Sequence, residues 1–489
     1  MKTKSATWGF HHPTKINFVM MKLKFLNILI IVGFVGIITL SCKKDEPEVD
    51  LEAKLNSEIM AWMYDAMEQV YFWNSYLPSL TSVVKETDPE VFFYKLIYET
   101  EDHWSWLTKD YAALMEDFAG TPTSMGISPV YGKFYDSEQV FILISYVYPG
   151  SPADRAGIER GDIIMKINGQ DLNTTNYIEM FNQDSYSVNM GIYFNGSIST
   201  RTATIQLAAE VIDSNPIIFD TILVFNNHKI GYLVYVEFIS GNEGNLLYEF
   251  GALIDEFKNQ GVTDLVVDLR YNPGGEITAA NYLASCLAPV SDVSTQEIFV
   301  KFVYNPMVQT YIEREEGDNS PNLVNRFSGN GHNLDLTRVF FLTGDHSASA
   351  SELLIIGLEP YMEVIQIGDP TYGKFTGAWV LTDTNDPPKH NWAIVPIVSK
   401  YSNSVGFTDF VDGLAPDYLI NDNLFEAKAF GDVADPMLGQ AVELITGQPL
   451  GLKKSIEPAV NYLKLPDPSQ FIKSNLFLPK PGFLNPTEE

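Results

Sequence analysis

Between residues 229 and 358, short apolar runs alternate with amphipathic stretches, and this alternation constrains the fold more than any other feature. Lys229-Ile-Gly-Tyr-Leu-Val-Tyr-Val236 reads as a strand, and Leu247 to Asn259 as a helix with one apolar face. Asp264–Leu269 and Arg338–Thr343 are uninterrupted enough to be buried strands. Helices are predicted from Glu276 to Leu287 and from Ser351 to Leu358. Strands alternating with helices of this length predict a mostly parallel sheet with helices packed on its faces. Such sheets place their sites beyond the C-terminal ends of the strands. Two loops fall there, Arg270–Gly275 and Gly344–Ser349.

The chain has 489 residues, too many for one ordinary core, so the class is multidomain α/β. Residues 53–118 read as an N-terminal helical domain: Ile59, Met60, Met63, Met67 and Val70 recur at helical spacing, as do Phe92, Phe93, Leu96 and Ile97. Residues 119–211 change to strand-like runs at 140–144, 163–167 and 203–207. The α/β core is expected over 212–440, with a polar excursion at 305–335 that reads as a flap or arm. A coil-like C-terminal extension is expected over 441–489.

Within the core the chemically telling residues are Ser349 and Lys374. Ser349 lies in His346-Ser-Ala-Ser-Ala-Ser-Glu352, and Lys374 follows Pro370-Thr-Tyr-Gly373. A serine hydroxyl is a weak nucleophile until a neighbouring base takes its proton. A lysine serves as that base once burial lowers its pKa enough to leave it neutral. Ser347 and Ser351 are expected to support the turn and helix start, and Glu352 to cap the first helical turn. His346, three residues before Ser349, is expected to point elsewhere. Asp268 and Arg270 are expected to brace their loop.

Composition removes competing classes. Sixty-two acidic against 32 basic residues give a net charge of −30, which argues against a nucleic-acid partner. The two cysteines, Cys42 and Cys286, cannot build a cysteine-rich metal site, and the seven histidines show no HxxxH or HExxH spacing. No metal or cofactor is expected. Cys286 sits in an apolar stretch and reads as a buried thiol.

The N-terminus carries an export pattern. Met21-Lys-Leu-Lys24 precedes an apolar run from Phe25 to Leu40, then Ser41-Cys42-Lys43-Lys44. This resembles a bacterial lipoprotein signal, with Cys42 as the lipid-carrying mature N-terminus, although Thr39 stands where leucine is usual. The alternative is an uncleaved membrane anchor. Residues 1–42 are therefore read as leader and signal, with 1–19 as an over-extended reading frame, and 43–52 as an acidic tether. The resemblance implies a bacterial envelope protein anchored to the outer membrane through Cys42, facing periplasm or surface.

Gly150-Ser-Pro-Ala-Asp-Arg-Ala-Gly-Ile158 followed by Arg160-Gly-Asp-Ile-Ile-Met-Lys-Ile-Asn-Gly169 closely resembles a PDZ domain. Such domains bind an extended peptide at a sheet edge and hold its carboxylate with backbone amides. The matching loop is Ser124-Met125-Gly126-Ile127. With Leu265–Gly275, Ser347–Glu352 and Ile367–Lys374 in this order, residues 55–440 resemble the C-terminal processing (tail-specific) proteases of the S41 serine peptidase family. The resemblance implies Ser349 as nucleophile and Lys374 as base. Oxyanion donors would be the N–H of Ala350 and one from the Gly274-Gly275 turn. Protein or peptide substrates are implied. Asp417 matches a family turn and is expected to be structural. One departure stands out: the glutamine that follows the lysine by four positions in the family is Ala378 here. Either another group orients Lys374, with Thr376 a candidate, or the chain is a catalytically weak relative that binds peptides at the envelope.

Overall fold

The computed structural model describes residues 51–385, 387–451, 462–467 and 476–480. The signal pattern, Cys42 and the tether up to Asp50 lie outside the described residues.

A helix over Leu51–Val70 buries Ile59, Met63, Met67 and Val70, the face expected from their spacing. Its apolar stripe meets Phe92 and Phe93 of the helix Pro89–Leu96, whose start is fixed by the Asp88 side chain and a proline in the first turn. The region is not wholly helical. Trp106–Thr108 is a strand pairing antiparallel with Ala393–Val395. Phe72 N–H donates to the Ile397 carbonyl at 2.9 Å, and Ile397 N–H to Ser105 Oγ at 2.9 Å. Its apolar residues belong to the same continuous core as Phe250 and Leu353. A segment this small cannot bury an aromatic-rich face by itself, so it uses the α/β body as its other half.

Residues 127–208 form the PDZ domain. Gln139–Val147, Ile163–Ile167 and the hairpin Ser185–Phe194/Ser197–Ala208 belong to one seven-stranded sheet. Its own core includes Tyr131, Val140, Ile142, Ile164 and Leu172. Tyr462–Lys464 adds an antiparallel strand against Gly132–Phe134.

The body contains two six-stranded sheets. Its strands are β1 (Ile217–Phe225), β2 (His228–Tyr235), β3 (Asp264–Asp268), β4 (Gly275–Glu276), β5 (Ile298–Tyr304) and β6 (Val324–Arg326). They continue as β7 (Arg338–Thr343), β8 (Glu363–Gly368), β9 (Thr376–Ala378), β10 (Ile397–Asn403), β11 (Tyr418–Leu419) and β12 (Leu476–Phe477). The first sheet runs β1-β2-β3-β7-β8-β11, parallel except for the β1–β2 hairpin. Helices α1 (Asn245–Gln260), α2 (Ile277–Leu287), α3 (Ala350–Leu358) and α4 (Pro436–Thr446) accompany it. The parallel expectation holds for this sheet. The second sheet, β4-β12-β9-β10-β5-β6, is mixed. Several of its strands are two or three residues long and carry little periodic signal.

Two expectations are corrected. Residues 305–335 are no flap: Pro306–Glu315 is a helix capped by Asn305, with Val308 and Ile312 buried, and Leu323 and Phe327 join the core. Its polar residues occupy the outer face of a packed element. The segment 441–489 is not all coil. Asp435 caps α4, which runs to Thr446 with Gly447 behind it, and β12 lies inside the second sheet.

Candidate active site

Strands β3 and β7 are parallel neighbours, so the loops leaving their C-terminal ends lie side by side. The β7 loop delivers Ser349 as the residue before α3, at φ 58° and ψ −107°. A non-glycine residue there stores roughly 1–3 kcal/mol of strain, which the surroundings must impose. They do so through hydrogen bonds between the two loops. Ser347 Oγ donates to the Leu269 carbonyl at 2.7 Å, and Ser351 Oγ to the Asn272 carbonyl at 3.0 Å. Both serines thus support the turn, as expected. Ser349 itself is fully buried, and among the described residues its Oγ has no hydrogen-bond partner. An unpartnered buried hydroxyl is uncommon and marks a group kept available.

Glu352 does more than cap α3. Its Oε2 accepts the N–H of Ser349 at 2.7 Å and that of Lys374 at 2.8 Å, while Oε1 accepts from Gly373 N–H and the Thr371 hydroxyl, both at 2.6 Å. Tyr401 on β10 adds a second link: its hydroxyl donates to the carbonyls of Lys374 at 2.7 Å and Ser349 at 2.9 Å. One acid and one phenol therefore fix both backbones.

Lys374 is fully buried, and burial holds its pKa well below the usual lysine value, against the opposing charges of Asp102 and Glu352. A neutral amine is thus favoured. Thr376 makes no hydrogen bond to it: among the described residues the Thr376 hydroxyl is buried without a partner. Asp102 was not foreseen. It sits in the turn before Trp106, where Oδ1 accepts the N–H of Trp104 and Ser105 at 3.0 and 2.9 Å and Oδ2 the Tyr71 hydroxyl at 2.7 Å. Trp104 in the same turn packs against Phe375, the residue after Lys374. No local signal in the sequence pairs positions 102 and 374.

The β3 loop brings Gly274 against the serine. Gly274 has φ 117°, and a Cβ there would stand 2.8 Å from Ser349 Cβ and 3.1 Å from Ala350 N. Gly275 has φ 135°, and a Cβ there would stand 2.1 Å from the Phe238 carbonyl oxygen. Gly274 N–H donates to Asn272 Oδ1 at 2.9 Å. Ala350 opens α3, where helix geometry leaves the N–H without an intrahelical acceptor. The loop is braced as expected: Arg270 is buried between Asp268, Asp422 and Asp435, with Nη2–Oδ2 of Asp268 at 2.6 Å.

His346 is half-buried; its Nε2 lies 3.8 Å from Asp345 Oδ1 and has no hydrogen-bond partner among the described residues. Burial and the nearby Lys464 lower its pKa to about 4, so it is neutral near pH 7. Asp417 pairs with Gln366, whose N–H reaches Asp417 Oδ2 at 2.8 Å, a structural role. Cys286 is buried, and burial pushes its thiol up to about 12. Among the described residues, no group of three or more His, Cys, Asp or Glu side chains is placed to hold a metal ion.

In the PDZ loop, Met125 points into the domain core. Gly126 N–H donates to Ser124 Oγ at 3.0 Å. Ile127 borders two spaces. One is a groove of about 190 Å³ shared with Phe181 and Tyr186. The other is a cavity of about 360 Å³ that reaches Tyr271, Pro273 and His346 beside the β3 and β7 loops.

Comparison with known proteins agrees with this layout. Peptidase family S41 matches residues 229–420, the peptidase S41 N-terminal domain residues 58–106, and the PDZ domain residues 143–187. A carboxyl-terminal-processing protease of Picosynechococcus sp. is 25% identical over 302 residues, 61% of this chain and 65% of that one. A chloroplastic C-terminal processing peptidase of Tetradesmus obliquus is 24% identical over 334 residues, 65% of each chain. This chain therefore spans about 65% of the length of these curated relatives. A crystal structure described as an S41 protease of Bacteroides fragilis superposes with a TM-score of 0.66 at 26% identity, covering 79% of this chain and 97% of that one. An S41 N-terminal domain, a PDZ domain and an S41 peptidase domain thus follow one another along this chain, which makes it similar in fold and domain order to the carboxyl-terminal-processing proteases.

Proposed function

We propose that this chain is a serine peptidase that hydrolyses peptide bonds through a Ser349–Lys374 dyad. The observation that carries the reading is the Glu352 carboxylate, which ties the Ser349 and Lys374 backbones together around a fully buried lysine. Neutral Lys374 takes the proton from Ser349 Oγ as that oxygen attacks the substrate carbonyl carbon. The tetrahedral oxyanion is held by Ala350 N–H and a donor from the Gly274-Gly275 turn. The lysine then passes its proton to the leaving amine, which departs as the C–N bond breaks and leaves an acyl ester on Ser349. Water activated by Lys374 hydrolyses that ester. With Ala378 in place of the family glutamine, Asp102 and Glu352 supply the charges that act on the lysine.

In this reading the PDZ groove at Ile127 receives a substrate C-terminus or extended segment, and the cavity from Ile127 to Pro273 connects it with the loops at Ser349. Casein or peptide hydrolysis by the wild type, Ser349→Ala and Lys374→Ala tests the dyad. Both variants are expected to lose activity by at least 10³-fold, and undiminished cleavage by either sinks the assignment.

Burial of the whole dyad favours a second reading, a weakly catalytic relative that holds peptides. It predicts saturable peptide binding without turnover, lost when the 125–127 loop is changed. The signal pattern at Cys42 supports placement of the chain as a lipoprotein of the outer membrane. Metabolic labelling with a fatty acid, lost in Cys42→Ala, is the expected result.

A further inference from the structure

The strand β12 lies between β4 and β9 and is parallel to both. Leu476 pairs with Gly275 on one side and Gly377 on the other, and Phe477 with Glu276 and Ala378. Leu478 N–H then donates to the Ala378 carbonyl at 3.2 Å. These neighbours are not ordinary strands of the sheet. Gly275 adjoins the glycine that touches Ser349, and Gly377 stands three residues after Lys374. Without residues 476–478, the β4 and β9 edges facing each other would present unpaired N–H and C=O groups. A two-sided slot of that kind accepts an extended peptide of almost any sequence through its backbone and selects it through alternate side chains.

The occupant shows what the slot selects. Leu476 and Leu478 are buried, Phe477 is half-buried with its ring on Phe118, and Pro479 is exposed. Absence of a side chain at Gly377 makes room for Leu478: a Cβ there would stand 2.7 Å from Leu478 Cδ1. An extended substrate that presents its backbone to the glycine turn and to β9, which starts two residues after Lys374, would enter this same gap. With the slot filled, Ser349 and Lys374 are both fully buried.

We propose that the gap between β4 and β9 is the acceptor for the substrate strand. It takes an extended peptide with leucine-sized side chains at alternate positions, and residues 476–480 fill it as an intramolecular stand-in that must leave before substrate enters. This rests on the peptidase reading for the identity of the natural occupant, so the test reads binding rather than turnover. The full chain carrying Ser349→Ala is compared with the same chain also carrying Leu476→Asp and Leu478→Asp. The probe is a fluorescent Leu-Phe-Leu-Pro-Lys peptide, with Asp-Phe-Asp-Pro-Lys as control.

Loosening the segment is expected to tighten binding of the leucine peptide at least 10-fold and to leave the control unbound. In chains with Ser349 intact, the same two substitutions are expected to raise kcat/KM for a leucine-containing peptide about 10-fold. Unchanged peptide affinity in a variant that still unfolds cooperatively overturns the proposal. Loss of cooperative unfolding in both the double variant and the milder Phe477→Ala also overturns it, because 476–478 would then be a permanent strand. If wild type shows no Ser349-dependent cleavage but the loosened chain binds the peptide, the peptidase reading fails and the slot assignment stands.

Discussion

Ser349 and Lys374 hand their backbone N–H groups to one oxygen, Oε2 of Glu352, at 2.7 and 2.8 Å. The acid is thereby a geometric ruler between two loops separated in sequence. Replacing it with glutamine turns one of the two accepting oxygens into a donating NH2 and leaves two of the four donors unanswered. Glu352→Gln is expected to lower kcat on the order of 10²-fold with little change in KM. Stability should fall by about 2 kcal/mol, the scale of a buried donor left unpaired. Steady-state kinetics with urea unfolding checks both numbers, and an unchanged kcat would refute the positioning role.

In the proposed dyad the lysine must be neutral to act, so activity is expected to rise with pH as Lys374 loses its proton. Burial lowers its pKa, whereas the negative charge of Asp102 raises it. Asp102→Asn removes that charge, and the acidic limb of the kcat/KM profile is expected to move to lower pH. A shift to higher pH would contradict the electrostatic link. The variant also weakens acceptance from Tyr71, Trp104 and Ser105, so a modest loss of Tm is expected.

Gly274→Ala is expected to be far more damaging to catalysis than an ordinary surface substitution. The new methyl group would stand 2.8 Å from Ser349 Cβ, at a backbone φ of 117° that alanine resists. A drop on the order of 10²–10³-fold in kcat is expected, comparable to losing one oxyanion donor. Retained activity would place the oxyanion site elsewhere.

His346 is held neutral by burial and by the nearby Lys464, with a pKa of about 4 against an ordinary 6.5, while Asp345 and Asp422 act in the opposite sense. Between those values the unfolded chain binds a proton that the folded chain refuses. Stability therefore falls as pH drops from 6.5 toward 4, by up to about 3 kcal/mol. Urea midpoints at pH 7 and pH 5 should show the fall. His346→Gln should reduce it, and an unaltered pH dependence in that variant would exclude His346 as its source.

Much of this site was legible beforehand because its parts are local. The small residues around Ser349, the glycine before Lys374 and the glycine pair after β3 each sit in a contiguous run whose backbone demands can be read directly. Asp102, Tyr401 and Leu476 were not legible for the opposite reason. Each reaches the site through pairing of segments far apart in the chain, and nothing beside them in sequence marks the partner. The helix at 306–315 hides behind a largely polar exposed face, and only Asn305-Pro306, a sound helix start, marks it in the sequence.

Sequence alone determined the alternating α/β body and the PDZ turn and singled out Ser349 and Lys374 as candidates, because periodicity and turn chemistry act over a few residues. Tertiary structure decided how the two are held and which strand lies beside their loops. The Glu352 clamp, the Asp102 charge and the strand at 476–477 arise only when distant segments share one buried volume, where desolvation leaves each backbone group to find its partner within the protein.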